Sequence, residues 1–480
     1  MFKPSNIKYL FLILILSFTV LSQDKNNQID ALVQQYYEMG QINGSVLVAE
    51  GGNVIFSNSV GYSDIEKKIE NKPDTKFRLA SVTKQFTATL IMQLVEKGKL
   101  SLEGKLSEYL PYYRKDIGDK VTIHQLLNHT SGIPGYTELP GFMTNEVSKK
   151  VEVKDFVIKF CSNDLSFEPG TKWSYNNSGY FILGAVIEEV TGKTYEAVLK
   201  ENILEPLGMA NSGYDHSDMV YENKSIGYTG SFAGIQSARF IDMSIPYAAG
   251  SMYSTVEDMY KWDQALYTEK ILKNESKEKM FTPGLNNYGY GWGISEIAVG
   301  DVKKKVNAHS GGIFGFNTLI VRYPEDKHLI VILNNFDDGG ATNELSKRIR
   351  LILYGLEVPP PQQSAAKKLY KTFTEKGMEE ANKEFNVNKE NKTDYFVSES
   401  EMNNLGYYLL GQDKVNEAIE VFKLNVEAFP ESFNVYDSLG EAYLAAGDKE
   451  NAKINYKKSV ELNPQNQSGI EALKKLEEVR

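Results

Sequence analysis

Phe77-Arg78-Leu79-Ala80-Ser81-Val82-Thr83-Lys84 leads into Phe86, Leu90, Leu94 and Val95 at helical spacing, so a helix opens on a serine and a lysine. Residues three apart on a helix share a face, which sets the Ser81 hydroxyl beside the Lys84 ammonium. A serine hydroxyl is a poor nucleophile until a neighbour takes its proton, and a desolvated lysine has a lowered pKa suited to that task. The helix start adds backbone amides and a positive dipole end where an oxyanion would develop. The spacing alone selects nothing, because Ser-x-x-Lys also occurs at Ser5, Ser22, Ser276 and Ser364.

Two distant stretches single out Ser81. Phe167-Glu168-Pro169-Gly170 and Trp173 precede Tyr175-Asn176-Asn177-Ser178-Gly179-Tyr180, and residues 180–190 read as a helix closed by Gly192 as its C-cap. A buried phenol beside a cation shares or accepts the serine proton, and an amide two residues on holds a substrate carbonyl or the lysine. The Tyr-x-Asn copy at Tyr221 and Asn223 lacks the Pro-Gly turn and the helix that follows. His309-Ser310-Gly311-Gly312 is a glycine-rich strand edge, which leaves backbone amides uncovered as an oxyanion hole requires.

Outside these stretches the apolar pattern changes period. Residues 45–49 and 53–56 are short apolar runs around Glu50-Gly51-Gly52, and residues 318–322 and 329–333 flank Tyr323-Pro324-Glu325-Asp326-Lys327. Each pair reads as strand, turn and strand. Strands at both ends with helices between predict one α/β unit whose termini pair in a single sheet.

In this order the three stretches resemble the serine β-lactamase and penicillin-binding protein superfamily, nearest to its class C β-lactamase, D-alanyl-D-alanine carboxypeptidase and serine esterase branch. The resemblance spans about residues 30–355 and extends to Leu126-Leu127-Asn128-His129-Thr130-Ser131-Gly132, Ala249-Gly250-Ser251-Met252 and Tyr288-Gly289-Tyr290-Gly291-Trp292-Gly293. It implies an α/β fold of the α+β kind, an antiparallel sheet flanked by helices with a mostly helical subdomain. It also implies that Ser81 accepts the acyl group and that Lys84 and Tyr175 handle the proton. Asn177 becomes a substrate or lysine contact, and His309, Gly311 and Gly312 line the opposite, substrate-binding wall. The amides of Ser81 and Gly312 become the oxyanion hole. Many β-lactamases of this group have lysine where His309 stands, and an imidazole with an ordinary pKa of about 6.5 attracts a carboxylate less at neutral pH. That substitution lowers the β-lactamase reading and leaves DD-peptidase and esterase open.

Several other features are given structural readings. His129 reads as a structural residue of its turn, and Asp215-His216-Ser217-Asp218 as a surface turn with no metal partner at a recognisable spacing. Gly192-Lys193-Thr194 fails as a phosphate loop because Ile187 stands where its first glycine belongs. Cys161 stands alone, which excludes an internal disulfide, a four-cysteine zinc site and a CxxC redox pair. Neither a metal nor an organic cofactor is implied. With 41% hydrophobic and 24% charged residues the 480-residue chain can bury large cores, and its net charge of -10 without a basic run argues against a nucleic-acid partner.

The termini carry two further elements. Lys3 and Lys8 precede the 13 apolar-rich residues 9–21, a length that suits a secretory leader better than a membrane span. A signal peptide at residues 1–22 is therefore expected, with no stable membrane span after its removal and a periplasmic or secreted mature protein. Residues 23–357 form the hydrolase domain. Val358-Pro359-Pro360-Pro361 opens a linker over residues 358–365. Leu405-Gly406, Ala418, Phe422 and Pro430 then recur 34 residues later as Leu439-Gly440, Ala452, Tyr456 and Pro464, which resembles tetratricopeptide repeats. Residues 366–480 are read as this all-α helical repeat domain, closed by a capping helix through Ile470, Leu473 and Leu476.

The combined expectation is an exported serine hydrolase that cleaves a small peptide or ester substrate through a Ser81 acyl-enzyme, DD-peptidase-like or esterase, with a protein or peptide partner for its repeats. The alternatives are a β-lactamase, or a catalytically dead scaffold acting through the repeats.

Overall fold

The computed structural model describes residues 24–337 and 340–478, so the leader read at residues 1–22 lies outside the described residues. Two compact units divide the chain. The first runs to Gly230 and resumes over Ile235–Val358; the second comprises Pro359 onward together with Ser231–Gly234.

A six-stranded antiparallel sheet organises the first unit, in the order Gly293–Val299, Val302–Ile313, Phe316–Tyr323, His328–Asn334, Gly44–Glu50 and Asn53–Val60. The late strand His328–Asn334 pairs with the early strand Gly44–Glu50, Leu47 facing Val331, so the ends of the unit do meet in one sheet. Successive side chains on a strand point to opposite faces, and here both faces are covered. Val46, Val48, Ile330 and Ile332 pack under helix 24–38 and helix Ala341–Leu353, whereas Leu47, Ala49, Val331 and Leu333 join the core beneath the helical subdomain. This double burial explains why the strands read as continuous apolar runs.

The helix that follows Ser81, Thr83–Glu96, departs from the single apolar face suggested by Phe86, Leu90, Leu94 and Val95. It is buried on nearly all sides, Thr83, Gln85, Thr87 and Thr89 included. Polar residues are tolerated there because their side-chain oxygens find partners. The Thr87 hydroxyl donates to the Ala248 carbonyl at 2.6 Å, and Gln85 accepts from the Trp262 indole at 2.9 Å.

A buried ion pair crosses from helix Val256–Ala265 to the sheet. Arg322 donates to Asp263, and its guanidinium packs against the Tyr267, Phe281 and Trp292 rings at 4.8 to 5.7 Å. Asp263→Ala is expected to remove about 3–5 kcal/mol of stability in urea titration, because it strands a buried guanidinium. Adding Arg322→Met should recover most of that loss; a single variant as stable as the parent would contradict the assignment.

The second unit is helical. Helices Ala365–Lys376 and Met378–Asn388 precede two helix pairs, Glu399–Gly411 with Val415–Ala428 and Phe433–Ala445 with Lys449–Leu462, and Gln467–Glu478 follows. The 34-residue period has a packing cause. A Cβ on Gly406 would lie 2.4 Å from the Phe422 ring, and one on Gly440 would lie 3.1 Å from the Tyr456 ring, so each pair closes through a small residue facing a large one. Ala418 and Ala452 are buried at equivalent places. No helix among the described residues is long and apolar enough to cross a membrane.

Candidate active site

Ser81 sits in a one-turn 3-10 segment, Ala80–Val82, at the mouth of the Thr83–Glu96 helix. Ala80 has φ of 48°, a left-handed conformation that costs a side-chain-bearing residue roughly 1–3 kcal/mol and marks a turn fixed by its surroundings. Those surroundings begin at Arg78, which hydrogen-bonds Asp215 at 2.7 Å, and Lys224 reaches the other Asp215 oxygen at 3.0 Å. The surface turn expected at Asp215-His216-Ser217-Asp218 is therefore corrected at its first residue. Asp215 is fully buried, because two cations reached from outside the motif compensate its desolvation.

Lys84 is wholly buried, and its ammonium has three acceptors. It donates to Ser81 Oγ at 3.0 Å, Asn177 Oδ1 at 2.9 Å and the Ala249 carbonyl at 2.9 Å. Burial holds its pKa well below the ordinary 10.5. Asn177 is the first residue of helix Asn177–Thr191, whose N-cap Asn176 accepts from the Gly179 amide, and this cap aims Asn177 at the lysine. Of the two contacts left open for Asn177, the structure shows the one to lysine. Helix Asn177–Thr191 ends at Gly192 in the left-handed conformation, as its sequence indicates.

Tyr175 stands beside Lys84 and Ser81. Its ring lies 5.0 Å from Lys84 Nζ, burial pushes its hydroxyl well up from 10, and interaction with the Ser81 hydroxyl pulls it partly back. His129 packs on this ring at 4.4 Å and on the Tyr180 ring at 5.2 Å.

His309 closes the opposite wall in a fixed tautomer. A carbonyl only accepts, so Nδ1 carries the proton given to Ser310 O at 2.6 Å, and Nε2 accepts from the Tyr288 hydroxyl at 2.9 Å. Burial, then the nearby Lys84 charge, lowers its pKa to about 4, which keeps the ring neutral at pH 7. Strand Gly293–Val299 pairs with Val302–Ile313 only as far as Ala308, so His309 to Ile313 present an open edge beside Ser81. Gly311 is required for that approach: a Cβ there would lie 2.2 Å from the Leu79 carbonyl and 3.1 Å from the Ser81 amide nitrogen. Gly312 and Ser81 line one cavity.

Of the seven residues singled out from the sequence, Ser81, Asn177 and Gly312 line one cavity, and Lys84, Tyr175, His309 and Gly311 are packed around Ser81 behind it. The Ala249 carbonyl and the Tyr288 hydroxyl complete the cluster without having been assigned a role. Both lie in stretches already noticed, but a backbone acceptor has no residue-type signature.

The sheet and the polar cluster at its open edge define a serine hydrolase of the β-lactamase and transpeptidase fold. The chain belongs to the beta-lactamase family, whose model matches residues 29–354, and a tetratricopeptide repeat model matches residues 433–466. Penicillin-binding protein 4* of Bacillus subtilis is 33% identical over 370 residues, covering 72% of this chain and 80% of that relative. A penicillin-binding protein structure from Bacillus halodurans superposes with a TM-score of 0.60 at 28% identity, over 66% of this chain and 98% of the other. The D-amino acid amidase of Ochrobactrum anthropi SV3 in complex with L-phenylalanine gives 0.60 at 26% identity, over 69% and 99%.

Proposed function

We propose that this protein is an exported hydrolase that cleaves an amide or ester through an acyl-enzyme on Ser81, with DD-peptidase-like or esterase specificity. The observation that carries the reading is the buried Lys84 ammonium held against Ser81 Oγ, with the Tyr175 ring 5.0 Å from that ammonium. Ser81 Oγ adds to the substrate carbonyl, and its proton passes to the Lys84–Tyr175 pair, which titrates as a coupled unit. The developing oxyanion takes hydrogen bonds from the Ser81 and Gly312 amides. Collapse breaks the C–N or C–O bond, the leaving group takes the proton, and water releases the acyl group by the reverse sequence.

Neutral His309 supplies no fixed positive charge for a substrate carboxylate, which lowers the β-lactamase reading and leaves DD-peptidase and esterase open. The similarity to penicillin-binding proteins and to a D-amino acid amidase supports the same reaction class. The leader pattern at residues 1–22 supports export, and the repeats serve a protein or peptide partner. Intact-mass spectrometry after brief exposure to a penicillin and, separately, to an activated phenyl ester tests the reading. A mass gain located on Ser81 with either reagent is expected, and unmodified protein with both would overturn it.

A further inference from the structure

A second cavity, of about 500 Å3, is lined from helix Asn274–Met280 and from strands Val302–Ile313 and Phe316–Tyr323, and it shares no residue with the cavity of Ser81 and Gly312. Three cations stand in its wall, Lys277, Lys305 and Arg322, against one carboxylate, the exposed Glu278. Asn307 pairs with Arg322 across the two strands and Lys305 lies two residues before it, so these side chains share one face of the sheet.

The protein does not balance these charges by itself. Arg322 donates to Asp263 through Nε and to the Asp263 carbonyl through Nη2, two of its five donors. Lys277 is buried, yet its Nζ donates to neutral carbonyls, Leu266 at 3.3 Å and Thr268 at 2.5 Å, which leaves one of three N–H groups. The ion pairs of this region are made by Lys304 and Arg322, and among the described residues no carboxylate comes within pairing distance of Lys277 or Lys305. An ammonium taken out of water without a counter-ion is costly. Burial lowers the Lys277 pKa against the pull of Glu269, and the Arg322 charge lowers it further. An anion in the cavity would offset both effects.

The neutral polar groups point the same way. The Asn307 side-chain oxygen and the Tyr267 hydroxyl on this wall are buried without a hydrogen-bond partner, which a polar ligand would supply. Donors arriving from a helix and two strands match the several oxygens of a tetrahedral oxyanion, where a carboxylate offers only two. An inorganic ion would leave much of the cavity unfilled, and the part-exposed Tyr267 and Phe281 rings give it an apolar side.

We propose that this cavity binds a small organic phosphate, its phosphoryl group held by Lys277, Lys305 and Arg322 and its organic part laid against Tyr267 and Phe281. The site stands apart from the Ser81 reaction and does not depend on it.

The test is calorimetric titration of the full chain with phenyl phosphate, inorganic phosphate and phenol at about pH 7, where a phosphate monoester is largely dianionic, with ionic strength held constant by NaCl. Phenyl phosphate should bind at one site about tenfold more tightly than inorganic phosphate, because only the ester also covers the two rings, and phenol alone should give no signal. Lys305→Glu at the half-buried rim and Lys277→Met in the wall should each weaken phenyl phosphate by about tenfold or more. Ser81→Ala should leave this binding unchanged. If Lys277→Met fails to fold, Lys305→Glu decides alone. No binding of either phosphate, affinity indifferent to Lys305→Glu, or binding lost in Ser81→Ala overturns the proposal. Equal affinity for the two phosphates overturns the organic ligand and leaves the free ion as the occupant.

Discussion

Ser81→Ala is expected to lower kcat/KM for any ester that acylates the protein by about 10^4-fold or more, while moving the melting temperature by no more than about 3 °C. The two effects separate because Ser81 is only half-buried and its hydroxyl touches catalytic groups rather than the core. Its loss leaves Lys84 with two of its three acceptors, Asn177 Oδ1 and the Ala249 carbonyl, so the ammonium stays hydrogen-bonded and the helix mouth keeps its shape. On the proposed reading the rate loss is large because the nucleophile of the acyl-enzyme has gone; amides poised for an oxyanion still assist water slightly. Initial-rate kinetics beside thermal denaturation reads both quantities. Activity within tenfold of the parent would show that another group attacks the carbonyl, and a collapse in melting temperature would make the rate loss uninterpretable as chemistry. The mass gain expected on Ser81 should vanish in the same variant.

How much of this was legible in the sequence differs from element to element, for physical reasons. Val46 and Leu47 announce a strand because β-branched and aliphatic neighbours favour extended backbone, and their continuous apolar run already signals cover on both faces. The glycine end of Asn177–Thr191 was readable because a C-cap is local chemistry, whereas its start was read three residues late, at Tyr180 instead of Asn177, because the Asn176 cap was not recognised. Ser81, Lys84 and Tyr175 were brought together by the order of three stretches, whereas the third acceptor of Lys84 was not. The Ala249 carbonyl belongs to the backbone, and only the fold decides which carbonyl meets an ammonium. The full burial of Thr83–Glu96 was hidden for a related reason. Only Phe86, Leu90, Leu94 and Val95 mark a buried face in the sequence, and the partners that cover Thr87 and Gln85 come from the turn at Ala248 and from Trp262. Asp215 shows the same limit, since its counter-charges Arg78 and Lys224 come from other parts of the chain.

Lys84→Met is the second large effect, an expected loss of about 10^3-fold in kcat/KM, within the span that a positioned proton-transfer group contributes. Methionine nearly preserves the volume, so packing around Tyr175 and Tyr180 should hold, and any loss is assigned to the missing amine. Stability is set by opposing terms. Ser81 Oγ, Asn177 Oδ1 and the Ala249 carbonyl lose a donor, at roughly 1–3 kcal/mol for a group left unsatisfied, but the cost of burying an ammonium is also removed. The pH dependence distinguishes the two roles. Burial lowers the folded-state pKa of Lys84 below 10.5, so in the window beneath that value the unfolded chain binds the proton more readily than the folded one. Parent stability therefore rises with pH across that window, and the Lys84→Met profile should lack this contribution. The same lowered pKa makes the neutral amine available at lower pH, so parent kcat/KM should rise with pH along a limb that the variant does not show. A variant that keeps both the rate and the limb would move the base away from Lys84 and leave Tyr175, whose hydroxyl burial pushes up, as the proton acceptor to be explained.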